Sequence, residues 1–364
     1  MEKRITINPP PKRILIIAMR FLGDVLLATP LIHSLRLAYS EAQVDVLIYQ
    51  NTVAMLEGNE DIDQIITTPQ HPDAQDNIKL FKKIFRSYDL AVVTQTGDRP
   101  LIYGIFAAPI RIGFTPKREQ KRWWKRYLLQ GWTEFDTHNT HTVIELLKLS
   151  TLINIKPFFS LIPPNTQEKL LPSKKYKLPN LYAILHIHPQ WQYKRWTAQG
   201  WIEIANYLAK LSITPVLSGS SAQEEQEYIA EIKKSLPKST IDLSGQLSLA
   251  ELANLITYSQ LFIGPDTGIT HLAAATGTST IAIFGPSNPV KWAPWPIDYT
   301  CDINPFTKKG TQYINNVYLI QGKGDCVPCY LEGCNRHRGS YSSCLDNLSA
   351  QEVKIAIAQI LNNT

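Results

Sequence analysis

Short, almost wholly apolar runs alternate along this chain with longer stretches in which apolar residues recur every three or four positions. The first kind predicts strands buried on both faces of a parallel sheet, the second amphipathic helices that cover it. Arg13 to Ala18 (RILIIA) is the first such strand, and a helical pattern follows from Val25 to Tyr39. Pro30 lies inside that pattern, where it removes a backbone donor and is expected to bend the helix. Strands are predicted at Val44–Tyr49, near Ile62–Thr67, at Leu90–Gln95 and around Arg111–Phe114, with helices at Ile78–Ser87 and His141–Ile153.

Residues 155–180 break the pattern with five prolines and no sustained period, as a linker would. A second series then begins: strand Tyr182–His188, helix Ala198–Leu211, strand Thr214–Leu217, helix Ala222–Leu236, a strand near Ile241 and helix Leu249–Thr257. A last helix, Ala350–Leu361, follows a long irregular region. The expectation is an α/β chain of two Rossmann-like domains in tandem with a cleft between them, ligands sitting at the carboxyl ends of strands. The expected boundaries are 1–160 for the first domain, 161–180 for the linker, 181–348 for the second domain and 349–364 for the terminal helix.

Residues 261–286 (LFIGPDTGITHLAAATGTSTIAIFGP) concentrate the candidate chemistry. A strand stops at Gly264-Pro265, Asp266-Thr267-Gly268 opens a helix of small residues, and a β-branched run from Ser279 to Phe284 closes a parallel crossover. Asp266 or Thr267 can cap that helix. Gly268 lets a ligand approach free N–H groups at the positive end of the helix dipole, a place suited to phosphate.

Composition adds three constraints. First, no run reaches the roughly 18 apolar residues that a membrane span needs, and the start lacks an apolar signal core, so a cytoplasmic protein is expected. Second, Lys and Arg total 37 against 31 Asp and Glu, and residues 117–126 alone hold six bases and one acid. On a helix Lys117, Lys121 and Lys125 would form one row and Arg118, Arg122 and Arg126 its neighbour, with Trp123, Trp124 and Tyr127 interleaved. That mix suits an anionic membrane surface, single-stranded nucleic acid, or merely a solvated helix with its tryptophans tucked inward. Third, Cys326, Cys329, Cys334 and Cys344 are spaced C-x2-C-x4-C-x9-C, with His337 among them. They are candidates for a structural zinc or for reduced packing thiols, disulfides being disfavoured in a cytosolic chain.

Elsewhere, Asp24 follows a glycine after the first strand and can serve as a general base or as a helix cap. Lys194 and Arg195 lie in the loop after the strand at 182–188, where two cations could clamp a diphosphate or simply make a basic loop. His186 and His188 alternate on that strand with nothing nearby in sequence to complete a metal set. Neither G-x-G-x-x-G after the first strand nor a P-loop occurs, which removes the usual support for dinucleotide redox chemistry and P-loop phosphoryl transfer.

Taken together, these motifs resemble glycosyltransferase family nine, the ADP-heptose:lipopolysaccharide heptosyltransferases of the GT-B fold. The resemblance runs through RILIIAMRFLGDVLLATPLIHSLR, YDLAVVTQTGDRPLIYGIFAAPIRIGF, YKRWTAQGWIEIANYL, SGQLSLAELANLI, GPDTGITHLAAATGTSTIAIFGPSNP and the cysteine-bearing tail, and leaves 287–325 unaligned. It implies Asp24 as catalytic base, Lys194 as donor-phosphate ligand, and Asp266, Thr267, Gly268 and His271 as donor-binding residues, with Glu224 and Leu247 near the ribose and adenine. It further implies an inverting, metal-independent transfer with no cofactor. The donor would be an ADP-sugar, in the form ADP-L-glycero-β-D-manno-heptose, and the acceptor an anionic lipid-linked oligosaccharide of the lipopolysaccharide inner core. Lys121, Arg122, Trp123 and Arg126 would face the acceptor and the membrane, giving peripheral contact at the inner face of the inner membrane and no role for nucleic acid. Transfer of a different sugar to another surface glycan, or nucleotide-sugar binding without catalysis, are the alternative readings.

Overall fold

The computed structural model describes residues 1–117, 121–165 and 172–362. Arg118, part of the expected basic rows, and the middle of the expected linker lie outside the described residues. The chain divides into two compact units, Met1–Pro164 with Thr300–Ile303, and Asn165–Tyr299 with Asn304–Thr364.

The first unit is built on a seven-stranded sheet of order β1-β7-β6-β5-β2-β3-β4. Its strands are β1 (Glu2–Lys3), β2 (Arg13–Ile17), β3 (Gln43–Tyr49), β4 (Gln64–Thr68), β5 (Leu90–Val93), β6 (Ile110–Thr115) and β7 (Gly131–Glu134). All neighbours are parallel except β1 with β7. The central β2 is apolar because helices cover both its faces: Ile14, Leu15, Ile16 and Ile17 are fully buried. Pro30 does more than bend the helix after it. The backbone divides into Leu22–Leu27 and Thr29–Ala38, with Pro30 in the first turn of the second helix, where its missing N–H costs nothing. That break confines Asp24 to a short helix opening directly off the end of β2.

The second unit repeats the plan with β8 (Tyr182–His186), β9 (Thr214–Ser218), β10 (Ile241–Asp242), β11 (Leu261–Pro265), β12 (Thr280–Phe284), β13 (Gln312–Ile314) and β14 (Val317–Gln321), in the order β10-β9-β8-β11-β12-β14-β13. The α/β class and the pair of Rossmann-like sheets follow the sequence expectation. The region expected to be irregular, however, contains the β13–β14 hairpin, whose turn places Asn315 at φ 50. Asparagine tolerates that left-handed conformation better than other non-glycine residues. Gly264 is required for packing: a Cβ there would lie 2.7 Å from the Phe262 ring and 2.9 Å from Thr270 Oγ1.

Strand order places the functional edge. In the first sheet the connections diverge between β2 and β5, and in the second between β8 and β11. At such a switch point the loops leaving the carboxyl ends part and leave a crevice. The loop after β2 leads to Asp24, and the loops after β8 and β11 carry Lys194 and Asp266–Thr267.

Candidate functional site

In the second unit, β8 and β11 are neighbours, with Ala183 opposite Leu261 and Leu185 opposite Ile263. Their following loops therefore meet, although they are far apart in sequence. Lys194 Nζ lies 2.6 Å from Asp266 Oδ2, with the two side chains 16% and 6% exposed. The ammonium also sits 5.1 Å from the Trp191 ring centre and 5.9 Å from that of Tyr193, rings that stack on each other nearly parallel. Aromatic faces and a carboxylate thus hold one cation at the mouth of the crevice. Trp196, two residues on, is buried and donates from Nε1 to the Leu348 carbonyl at 3.0 Å, which anchors the loop from below.

The helix Gly268–Ala275 opens beside this pair. Thr267, not Asp266, is its cap: Thr267 Oγ1 accepts from the Thr270 N–H at 3.4 Å, so the Asp266 carboxylate remains with Lys194. His271, in the first turn, is buried, and its Nδ1 has no hydrogen-bond partner among the described residues. A buried ring nitrogen without a partner beside a helix N-terminus suits a polar ligand atom. Burial pushes its pKa down to about 4, against the smaller opposing pull of Asp266, so it is a neutral imidazole at neutral pH.

Arg195 turns the other way. It donates to His188 Nε2 at 2.5 Å, lies 4.3 Å from the Tyr228 ring centre and reaches Glu224 at 3.5 Å. Burial first, then the adjacent guanidinium, holds His188 below its ordinary pKa, so the imidazole accepts. Glu224 itself is well exposed at 83%, on the first turn of the helix Gln223–Lys233. Leu247 is half-buried in an apolar cluster with Leu243, Leu252 and Leu255.

The cysteine-bearing tail underlies the same loop. Ser342 Oγ donates to the Tyr193 carbonyl at 2.6 Å, Tyr193 N–H donates to the Arg338 carbonyl, and the Arg338 guanidinium lies 4.9 Å from the Trp191 ring centre. The sequence reading missed these supports, because no local motif marks a residue nearly 150 positions away. Among the described residues no group of three or more His, Cys, Asp and Glu side chains is placed to hold a metal ion. The thiols of Cys326, Cys329, Cys334 and Cys344 are free, and Cys344 is buried in the core beside Leu345. Burial, with the nearby Cys329, pushes its pKa up to about 11.

In the first unit, Asp24 lies at the third position of the helix Leu22–Leu27, whose cap is Phe21. It is not the N-cap that sequence position alone suggested. Its carboxylate pairs with Arg20 at 3.1 Å and is 11% exposed. Arg20, missed in the sequence, stands four residues earlier on the turn into the helix.

The basic segment corrects the sequence reading. Among its described residues it is not one helix: Arg122 takes φ 76, and Trp123–Leu128 winds into a 3₁₀ turn. Lys121 and Arg122 therefore do not continue a helical row into Lys125 and Arg126. Lys125 is buried, donates to the Thr96 carbonyl at 2.6 Å and pairs with Asp98 at 2.5 Å, while Arg122 pairs with the same carboxylate at 2.7 Å. Arg126 is buried between the Trp123 and Trp132 rings. Lys121, Trp124 and Tyr127 remain exposed, as in part does Trp123. Through Asp98 and Thr96 the segment is tied to the carboxyl end of β5, on the edge of the sheet that also presents Asp24.

One consequence concerns pH. His186, like His271, is buried with its pKa pushed down to about 4 by desolvation. Between pH 6.5, where histidines of the unfolded chain titrate, and about 4, the unfolded state binds more protons, so stability falls as pH falls through this window. Each imidazole contributes roughly 2 kcal/mol of loss by pH 5. Urea unfolding should show a clearly lower midpoint at pH 5 than at pH 7, with a shallower pH slope in His271→Gln. Equal slopes in wild type and variant would mean that His271 titrates normally.

Lipopolysaccharide heptosyltransferase 3 of Escherichia coli is 26% identical over 291 residues, covering 76% of this chain and 84% of the relative. The crystal structure of the glycosyl transferase family 9 from Veillonella parvula superposes with a TM-score of 0.76 at 19% identity, over 97% of this chain and 98% of that one. The E. coli ADP-heptose lps heptosyltransferase II gives 0.71 at 20% identity, over 96% and 99%. The profile of Glycosyltransferase family 9 (heptosyltransferase) matches residues 78–317. With well over half of its length matched, this chain belongs to glycosyltransferase family 9.

Proposed function

We propose that this protein transfers a heptose from an ADP-heptose donor to the inner core of lipopolysaccharide, with inversion at the anomeric carbon and without a metal ion. The observation that carries the proposal is the Lys194–Asp266 pair at the switch point of the second sheet, beside the open N-terminus of the helix Gly268–Ala275. Membership in family 9 and the resemblance to lipopolysaccharide heptosyltransferases support the sugar and the acceptor.

In this reading Lys194 and the N–H groups around Thr267 and Gly268 receive the diphosphate, and Asp266 and His271 bind polar groups of the donor. Glu224 and Leu247 lie toward the nucleoside. Asp24 takes the proton of the acceptor hydroxyl as its oxygen attacks the anomeric carbon. The bond to ADP breaks on the opposite face, and ADP leaves with its new negative charge neutralised by Lys194 and the helix terminus. Lys121, Arg122, Trp123 and Arg126 flank the acceptor, the first two through charge, Trp123 as an exposed edge and Arg126 by fixing the tryptophans. The acceptor's lipid then brings the protein to the inner face of the inner membrane. No described helix is long and apolar enough to cross it.

The test is ADP release by the purified protein supplied with ADP-heptose, with and without an inner-core lipid A acceptor. Release that requires the acceptor supports the proposal. Acceptor-dependent release with another nucleotide-sugar and none with ADP-heptose would assign the enzyme a different donor. Donor binding with no transfer to any glycan would leave a nucleotide-sugar-binding protein.

A further inference from the structure

The helices Ala74–Ile84 and Asp98–Ala107 lie side by side on one face of the first sheet, where Leu80, Ile84, Tyr103 and Ala107 join a single core cluster. Their outer face, turned to solvent, should be polar in a helix that merely covers a sheet. It is not. Ile78, Phe85, Ile102, Ile105 and Phe106 are 54%, 55%, 44%, 39% and 39% exposed. The Phe106 ring centre lies 4.5 Å from that of Phe81 and 6.2 Å from that of Phe85, so the two helices share one continuous apolar ridge. Single exposed apolar residues need no explanation, but a contiguous ridge on paired helices does.

The ridge has a rim of one sign. Lys79, Lys82, Lys83 and Arg86 are exposed, and among the described residues none of the three lysines is paired with a carboxylate. The Arg86 guanidinium lies 5.7 Å from the Phe85 ring centre, at the edge of the apolar surface. The acids of these helices are engaged at their first turns: Asp73 and Asp76 form a capping box, and Asp98 pairs with Arg122 and Lys125. Lys82 and Lys83 also favour the carboxyl end of their own helix. That accounts for two of the cations and for none of the apolar residues.

We propose that this paired-helix face docks the protein on an anionic lipid bilayer. Ile78, Phe85, Ile102, Ile105 and Phe106 enter the boundary between headgroups and acyl chains, and Lys79, Lys82, Lys83 and Arg86 meet the lipid phosphates. The charge selects this occupant: a second copy seated face to face would set four cations against four, whereas an anionic bilayer complements every one of them. The basic segment at 121–126 is the weaker anchor, because Lys125 and Arg126 are buried and Arg122 already holds Asp98. The inference rests on the proposed function only in that a lipid-linked acceptor gives the docking its purpose.

The experiment is co-sedimentation of the full chain with vesicles of phosphatidylcholine alone or mixed with phosphatidylglycerol, at low and high salt. Wild type should bind the mixed vesicles, weakly or not at all the neutral ones, and less at high salt. K79E/K82E/K83E and, separately, I78S/F85S/F106S should each lower the partition coefficient by about tenfold or more. Circular dichroism melting of each variant checks that it is folded, and ADP release from a detergent-dispersed acceptor should be unchanged. Undiminished binding in both variants, or loss confined to K121E/R122E, would overturn the proposal. So would dissociation of a dimer by the variants in sedimentation equilibrium, which would assign the face to a second copy. A protein that binds vesicles through this face but transfers no sugar would keep the docking surface and discard the function.

Discussion

Replacing Asp24 with alanine is expected to cut the turnover of acceptor by about 10²–10⁴-fold, the usual loss for a positioned general base, while donor affinity stays within a few-fold of wild type. The carboxylate stands on the short helix off β2, is 11% exposed, and has Arg20 at 3.1 Å to fix its direction. The fold should survive the change. An ion pair whose cation is 41% exposed contributes at most about 1 kcal/mol, and the favourable place of a carboxylate in a first helical turn adds only about 0.3–1 kcal/mol more. Stopped assays of ADP release give turnover, calorimetry with ADP gives donor affinity, and a thermal melt checks folding. Asp24→Asn distinguishes charge from shape: it keeps the size and hydrogen-bonding reach but cannot take a proton, so it should be about as inactive as the alanine variant. Near-full activity in either variant, in a protein that transfers sugar normally, would remove Asp24 from the chemistry and leave it a partner for Arg20.

How far the sequence reveals this molecule depends on what kind of force sets each feature. The strands at 13–17, 90–93, 182–186 and 280–284 are legible because burial on both faces demands an apolar run, and such a run is local. An interruption at Pro30 is legible because its missing N–H acts on its own turn, but the sequence suggests a bend where the backbone divides into two helices. The β13–β14 hairpin carried a signal that went unread: Asn315-Asn316 between two β-branched and aromatic runs is turn chemistry of the primed type. The segment 117–127 misleads for a deeper reason. Its cations recur at helical spacing, yet Lys125 is drawn inward by Asp98 and the Thr96 carbonyl, contacts nearly 30 residues away that no periodicity can register. The same holds within the donor site. The motif around Asp266 and the lysine at 194 can each be singled out along the chain, but their meeting follows from β8 and β11 being neighbours, which is a property of the strand order.

That meeting yields the second large effect. Lys194→Ala should lower kcat/KM for the donor by about 10²–10³-fold, the scale of losing one preorganised electrostatic partner of a leaving group. It should also destabilise the second unit, because Asp266, 6% exposed, is left as a buried carboxylate without its cation. The two losses have different origins, and one further substitution separates them. In Lys194→Ala/Asp266→Asn the orphaned charge is gone, so the melting temperature should recover most of what the single variant lost. If Lys194 served only to neutralise Asp266, the double variant would be as active as Asp266→Asn alone, the reference that carries any loss of Asp266's own donor contacts. If Lys194 neutralises the departing diphosphate, the double variant should stay about 10²–10³-fold below Asp266→Asn alone while the melt is restored. Parallel recovery of stability and rate would reduce the pair to a structural ion pair and take the donor-phosphate role away from Lys194. Restored stability with the rate still lost would leave that role as the reason a cation is held there, between two aromatic faces and a carboxylate at the mouth of the crevice.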